Sequence, residues 1–293
     1  MNIPYRGETK DLNDAARLLA GGSFLPLTDG ATHYELGGNE SGDVIVLVHG
    51  FSVPSFIFDP TFEFLVHSGF RVLRYDLFGR GYSDRPDTRY NISLFDRQLT
   101  DLLDALRLTR PVNLVGLSMG GPVTATFTAR RPERVKSLTL IDPAGARAIA
   151  LTPLVRVLRL PFMAEAVIGL AGGEPFVRNI AKDFFDPKLV EHFQSQYRVQ
   201  MQYRGFLRAI LSTMRSGMLE SFIGTYRQVG KTGKPVLLFW GRDDKTVPFE
   251  HSHDLRAALP QVEFRVMQNC GHIPHYEKPA EFNPMLLEFL KRV

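Results

Sequence analysis

A chain of 293 residues, 44% hydrophobic and 23% charged, can bury a large core and lacks the composition of a disordered protein. Its formal charge of +4 is spread along the chain without a dense basic stripe interleaved with aromatics, so no nucleic-acid partner is expected. The single cysteine, Cys270, excludes an intramolecular disulfide and gives no sign of an oxidising compartment.

The first residues, Met1–Asp14, are polar and charged, without the apolar run of a signal peptide. Every long apolar stretch is broken by Arg, Pro or Gly before the roughly 18 residues a membrane span requires. A soluble, cytoplasmic protein is expected.

In chain order, Ser23–Thr28 and Thr32–Leu36 read as an antiparallel start to a sheet. Short apolar runs rich in β-branched residues follow at Val44–Val48, Val72–Tyr75, Val112–Val115, Leu138–Ile141 and Val236–Trp240, with a half-polar run at Val262–Met267. Runs that are apolar throughout suit strands covered on both faces. Between them lie helix-compatible segments, Ser55–His67, Ser93–Leu108, Met119–Arg130, His251–Leu259 and Ala280–Leu290. This alternation predicts a doubly wound α/β architecture. It stops between about Ala146 and Gly230, where amphipathic pieces are interrupted by Pro161, Gly169 and Gly172-Gly173. The expected organisation is a core of residues 1–145 and 231–293, with residues 146–230 inserted as a helical lid over the sheet edge.

The segment Pro111–Gly121 carries the strongest chemical signal: an apolar strand, then Gly116-Leu117-Ser118-Met119-Gly120, then a helix-compatible run. A serine on a sharp strand-to-helix turn is pushed above the sheet, and small residues two before and two after it remove side chains that would collide. The helix that follows aims its N-terminal N–H groups at the reacting oxygen. Pro122 sits in the first helical turn, where its missing N–H costs nothing. A serine hydroxyl needs a base. His272 is the best placed of eight histidines, on a loop after the last strand run and before the C-terminal helix. His251, His253 and His275 read as surface residues or residues at helix starts. An orienting acid should lie on another loop at the same sheet edge. Asp243 and Asp244 after Val236–Trp240 both qualify, and Asp142 after Leu138–Ile141 reads as a turn residue before Pro143.

The order Ser118, acid, His272 resembles the α/β-hydrolase superfamily. His49-Gly50-Phe51 resembles its oxyanion loop, and Asp76-Leu77-Phe78-Gly79-Arg80-Gly81-Tyr82-Ser83 its Asp-x-x-Gly-x-Gly-x-Ser turn. Gly241-x-x-Asp244-x-x-Val247-Pro248 is similar to its acid loop, and Gly271-His272 to its base loop. The resemblance spans Val44–Ile141 and Pro235–Val293. It implies an eight-stranded, mostly parallel sheet flanked by helices and selects Asp244 over Asp243. It also implies an oxyanion hole formed by the backbone N–H groups of Phe51 and Met119, and a structural role for His49. No cofactor and no metal are implied.

The pairing of His49-Gly50-Phe51-Ser52 with the serine turn resembles small carboxylesterases and monoacylglycerol lipases. The expected reaction is hydrolysis of a small-molecule ester or lipid through an acyl-enzyme. The alternative is a carbon–carbon hydrolase of ring-fission (meta-cleavage) products. Those enzymes share the elbow and acid loop but commonly have a glycine-rich oxyanion loop and Asn before the Ser-Met pair. Here Phe51-Ser52-Val53-Pro54 and Leu117 stand in those places. A cofactor-free perhydrolase and a ligand receptor retaining the triad are further readings. Haloalkane dehalogenases and the common epoxide hydrolases of the superfamily carry Asp in the elbow, where this chain has Ser118.

Gly79-Arg80-Gly81 is not a dinucleotide loop, because Asp84 stands where the third glycine would fall. The paired histidines lack the spacing of a metal site, and Cys270 reads as a small buried residue. Within the lid, Leu154, Leu158 and Phe162 are expected to line the substrate pocket. With Leu151 and Met163 they lie beside Arg156 and Arg159, and Ala146–Arg227 carries eleven Lys/Arg against six Asp/Glu. Peripheral contact of the lid with anionic membranes is the corresponding expectation.

Overall fold

The computed structural model describes residues 5–148 and 172–293. Its centre is one eight-stranded sheet in the order β1-β2-β4-β3-β5-β6-β7-β8. The strands are β1 (Ser23–Leu27), β2 (Gly30–Gly38), β3 (Val44–Val48), β4 (Arg71–Tyr75), β5 (Val112–Leu117), β6 (Val135–Ile141), β7 (Val236–Gly241) and β8 (Glu263–Met267). Only β2 pairs antiparallel, with β1 and with β4; all other pairs are parallel.

The period-2 alternation of strand side chains sorts each strand between two cores. Ile45, Leu47, Val115 and Phe239 belong to one, with Leu65 of α2 (Asp59–His67) and Phe282, Leu286 and Phe289 of the C-terminal helix Pro279–Arg292. Val46, Val48, Leu114, Leu238 and Trp240 belong to the other, with Leu99 and Leu102 of α3 (Ile92–Ala105) and Val123 and Phe127 of α4 (Gly120–Arg130). Burial on both faces is why β3, β5 and β7 read as uninterrupted apolar runs.

Local chemistry sets the boundaries. Asn91 caps α3 by accepting from the Leu94 N–H at 3.0 Å. The helix ends three residues before the expected Leu108, where Arg107 turns through φ +55°. The first helix, α1 (Asp14–Ala20), precedes β1 at a place where no element was expected; it buries no residue, so no periodic apolar face announces it.

Between β6 and β7 the described residues form helices Glu174–Asn179, Val190–Met201, Phe206–Arg215 and Ile223–Lys231. Phe193, Tyr197 and Phe206 join the core that holds Val53, Ile57 and Phe58, and the Phe193 and Phe56 rings lie 5.4 Å apart. Helix Ile223–Lys231 packs on α4, with the Tyr226 hydroxyl donating to Ala144 O at 2.8 Å. Leu151, Leu154, Arg156, Leu158, Arg159, Phe162 and Met163 lie outside the described residues. No described helix is long and apolar enough to cross a membrane.

The turn that follows β4 is organised by Asp76. Its Oδ1 accepts from the Ser55 N–H and hydroxyl at 2.9 and 2.7 Å, and its Oδ2 from the Tyr82 N–H at 2.9 Å and His33 Nδ1 at 2.8 Å. A Cβ on Gly81 would lie 1.9 Å from Asp76 Oδ2, so the motif's second glycine is required by close approach.

Burial opposes a charge on His33, but its hydrogen bond to Asp76 and the charge of that carboxylate outweigh it and raise the imidazole pKa. Burial likewise opposes ionisation of Asp76, yet bonds and charge from His33 hold it below the usual carboxylate range. Stability from His33 is therefore fully present below its unfolded pKa, near 6.5, and is lost as pH rises through the folded value. His33→Ala is expected to cost about 3–5 kcal/mol at mildly acidic pH, the range for breaking a buried pair. The loss should be smaller at alkaline pH. Urea unfolding at pH 5.5 and pH 9 checks this, and an equal loss at both would contradict the linkage.

Candidate active site

Ser118 stands between the end of β5 and the start of α4 with φ +51°, a left-handed conformation that strains a residue with a Cβ. Backbone bonds hold the turn: the Ser118 N–H donates to Ile141 O at 2.9 Å, and Ser118 O accepts from Gly121 and Ala144 at 2.9 and 3.0 Å. A Cβ on Gly116 would lie 2.4 Å from Thr124 Oγ1, and one on Gly120 would lie 2.2 Å from Val48 O. Both glycines flanking the serine are thus demanded by neighbours, as the turn pattern implied. The nearest atom to a Cβ at Gly50, on the expected oxyanion loop, is Ser118 Cβ at 3.2 Å. The Ser118 hydroxyl makes no hydrogen bond among the described residues; catalytic hydrogen bonds of this kind commonly tighten only around substrate.

His272 and Asp244 are brought together by the loops after β8 and β7. His272 Nδ1 lies 2.7 Å from Asp244 Oδ2, with both side chains buried. Asp244 Oδ1 accepts from the N–H groups of Thr246 and Val247 at 2.7 and 2.9 Å. Asp244, and not its half-buried neighbour Asp243, meets the imidazole. An Nδ1–H donated to the carboxylate leaves Nε2 as the basic nitrogen. Burial opposes the imidazolium, but the charge and hydrogen bond of Asp244, with a further contribution from Asp183, outweigh it and raise the His272 pKa.

Several partners of this pair were not legible in the chain. Asp183, from the helical segment between β6 and β7, accepts the His272 N–H on its backbone oxygen at 2.7 Å and the Thr246 hydroxyl on its carboxylate. Glu277 accepts from the N–H groups of Phe185 and Asp186, both at 3.0 Å, and from Gly271 at 3.2 Å. The segment between β6 and β7 is therefore bolted to both the acid loop and the base loop. No spacing pattern signals the contacts of Asp183, or those of Glu277 with Phe185 and Asp186, because each joins segments far apart in sequence.

Asp142 is not merely a turn residue: it is fully buried at φ +41°, and its facing oxygen lies within 4.8 Å of the corresponding atoms of Asp244 and His272. These three could formally ligate an ion, but His272 Nδ1 is already engaged with Asp244. His275 lies at a helix start, one of the two positions expected of it, but not at the surface. It is fully buried, its ring centroid 4.7 Å from Phe58, and burial lowers its pKa to about 3. Its neighbour Pro274 opens a short helix that tucks the ring inward. Cys270 is buried and free, and burial pushes its thiol pKa up.

The Phe51 and Met119 N–H groups, expected to stabilise an oxyanion, have no hydrogen-bond partner among the described residues. Beneath Phe51 the structural expectation for His49 is met. Its Nδ1 donates to Gly50 O at 3.0 Å and its Nε2 accepts from the Leu77 N–H at 2.9 Å, while burial lowers its pKa to about 4. Arg80 is fully buried beside it and donates to Phe51 O and Thr213 Oγ1, both at 2.8 Å, and to Phe78 O at 3.1 Å. Among the described residues it pairs with no carboxylate.

Residues 43–279 match the family model described as alpha/beta hydrolase fold. An uncharacterized protein of Mycobacterium tuberculosis is 28% identical over 274 residues, covering 85% of this chain and 76% of its own length. A 2-hydroxy-6-oxononadienedioate/2-hydroxy-6-oxononatrienedioate hydrolase of Cupriavidus pinatubonensis is 29% identical over 283 residues, covering 91% of this chain and 94% of its own. Among solved structures, the enol-lactonase of Burkholderia xenovorans superposes with a TM-score of 0.79 at 21% identity, covering 92% of this chain and all of that one.

Proposed function

Because the chain belongs to the α/β-hydrolase family, we propose that it is a serine hydrolase cleaving the carbon–carbon bond beside a ketone in ring-fission products, with Ser118, His272 and Asp244 as its triad. The observation that carries the substrate class is the similarity to relatives named 2-hydroxy-6-oxononadienedioate hydrolases over about nine-tenths of both chains. This reverses the order of the two readings drawn from sequence, where ester hydrolysis stood first.

Chemically, the two reactions differ in the leaving group. His272 takes the Ser118 proton as Oγ attacks the carbonyl carbon, and the tetrahedral oxyanion faces the Phe51 and Met119 N–H groups. An ester expels an alkoxide at this point. A ring-fission product must expel a carbon, which is feasible when the substrate has first ketonised, so that the departing electron pair spreads through an alkene onto the second carbonyl. The resulting enolate takes the proton back from His272, and water then releases the carboxylic acid from Ser118. Overall, one water is consumed, one C–C bond is broken, and one acid and one enol are formed.

Arg80 suits an anionic substrate. Its charge lies under the Phe51 loop and, among the described residues, meets carbonyl and hydroxyl acceptors and the rings of Phe51, Tyr90 and Phe95 but no carboxylate, and burial lowers its pKa to about 10. An unneutralised cation there favours negative charge at the oxyanion side of the site. Ester hydrolysis stays as a second reading on one observation: the loop Phe51-Ser52-Val53-Pro54 contains no glycine run.

The test is a parallel assay of a 2-hydroxy-6-oxo-dienedioate, followed by loss of its dienolate absorbance, against p-nitrophenyl and monoacylglycerol esters of graded chain length. The expected result is a higher kcat/KM for the ring-fission substrate, abolished in Ser118→Ala. Turnover of esters alone would reinstate the ester reading.

A further inference from the structure

Asp142 is a buried carboxyl for which the triad mechanism has no use. Its Oδ1 accepts from the Gly241 N–H at 2.8 Å, while its Oδ2 is buried without a donor. The atom that faces the site lies within 4.8 Å of both the Asp244 carboxylate and the His272 ring nitrogen. Asp244 has committed both its oxygens as acceptors, one to two backbone N–H groups and one to His272. Two ionised carboxylates this close in a water-excluded site repel strongly, and a buried acceptor with no donor carries its full desolvation cost. One proton on Asp142 resolves both problems, because it removes the second charge and turns an orphaned acceptor into a donor, with Asp244 as the side chain that shares a hydrogen bond with Asp142.

We propose that Asp142 is a positioning residue held as a carboxylic acid, its Oδ2–H donating to Asp244, so that the two carboxyls together carry the single negative charge facing His272. The surrounding groups act in the same direction. Burial and the Asp244 charge raise the Asp142 pKa well above the usual range, and Glu277 adds to this. The Cys270 thiol beside it is kept neutral by burial, and Asp183 faces His272 and Asp244 from the segment between β6 and β7. Only the Gly241 N–H favours the ionised form. A donor on Asp244 tempers its attraction for the imidazolium, and so sets how far the His272 pKa rises.

The proposal rests on the serine-hydrolase reading of the site but not on which bond is cleaved. The readout is therefore the second-order rate of Ser118 labelling by a fluorophosphonate, followed against pH in the full chain. Asn at this position can accept from the Gly241 N–H and donate its amide to Asp244. Asp142→Asn is expected to label within about twofold of the wild type, with the acidic limb unmoved. Asp142→Ala loses the donor. It is expected to label about tenfold more slowly, with the limb displaced upward by about one pH unit. Where the alanine variant does not fold, as read by its melting curve, Asp142→Ser gives the same comparison, since its hydroxyl is too short to span to Asp244. A downward shift of the limb in Asp142→Asn would mean that an ionised carboxylate had been removed, and would overturn the proposal. Limbs unmoved in every variant would overturn it too. Wild-type protein that does not label at Ser118 overturns the serine-hydrolase reading itself, an outcome distinct from either.

Discussion

Replacing Ser118 with alanine is expected to lower kcat/KM by about 10⁵- to 10⁶-fold, the loss typical of removing a nucleophile that acts as one unit with its base. The residual rate would come from the oxyanion donors and from binding alone. Cys270, the chain's one thiol, does not substitute. Cys270 is buried with its thiol pKa pushed up, so a thiolate is not available there. The same position makes a second, opposite prediction. Ser118 holds φ +51° against the preference of any residue with a Cβ. Ser118→Gly should therefore be as inactive as the alanine variant and more stable than the wild type by about 1 kcal/mol. Steady-state kinetics and thermal unfolding of the two variants measure both effects. Activity above about 1% of wild type in either would place the nucleophile elsewhere.

Asp244→Asn carries the next largest effect, an expected fall in kcat of about 10⁴-fold, because an amide favours the wrong imidazole tautomer and cannot stabilise the imidazolium. The pH dependence supplies the sign. His272 must be neutral to accept the serine proton, so activity rises as pH passes upward through its pKa. That pKa is raised, since Asp244 outweighs the burial that opposes the charge. The wild-type acidic limb should accordingly lie above the ordinary histidine value of about 6.5. In Asp244→Asn the largest opposition to burial is gone and the weaker charge of Asp183 remains, so the limb of the residual activity should move down. Asp243→Asn serves as the control. Its side chain does not meet His272, so its rate and its limb should match the wild type. A loss of comparable size in Asp243→Asn would mean that the acid has been assigned to the wrong neighbour.

Much of the core was legible because it follows from local periodicity. Strands buried on both faces must be apolar throughout, so β3, with Val44–Val48 buried in full, could be read to the residue. The serine turn was legible for a related reason: its two glycines are needed wherever that backbone turn is made, and close contacts at Gly116 and Gly120 show why. The base position followed from chain order, since a loop after a late parallel strand must lie at the same sheet edge as the elbow. Elements without such constraints were misread or missed. Asp14–Ala20 buries nothing, and His275 looks like a surface histidine until Phe58 and Phe282 close over it.

What the sequence by itself determined, then, was the strand–helix alternation, the strained elbow and the set of loops from which a base and an acid would come. Those are properties of short segments, and short segments obey local sterics and burial. The residues alone left two adjacent aspartates open and the acid-loop resemblance chose Asp244, the one that meets the imidazole in the fold; only the tertiary structure brought Asp142, Asp183 and Glu277 to the same place. These are contacts between loops as much as 130 residues apart. Their energies depend on distance and exclusion of water, neither of which is written in the spacing of residues along a chain. Asp142 shows the difference most clearly: along the chain it is an aspartate before a proline, and in the fold it is a buried carboxyl facing another.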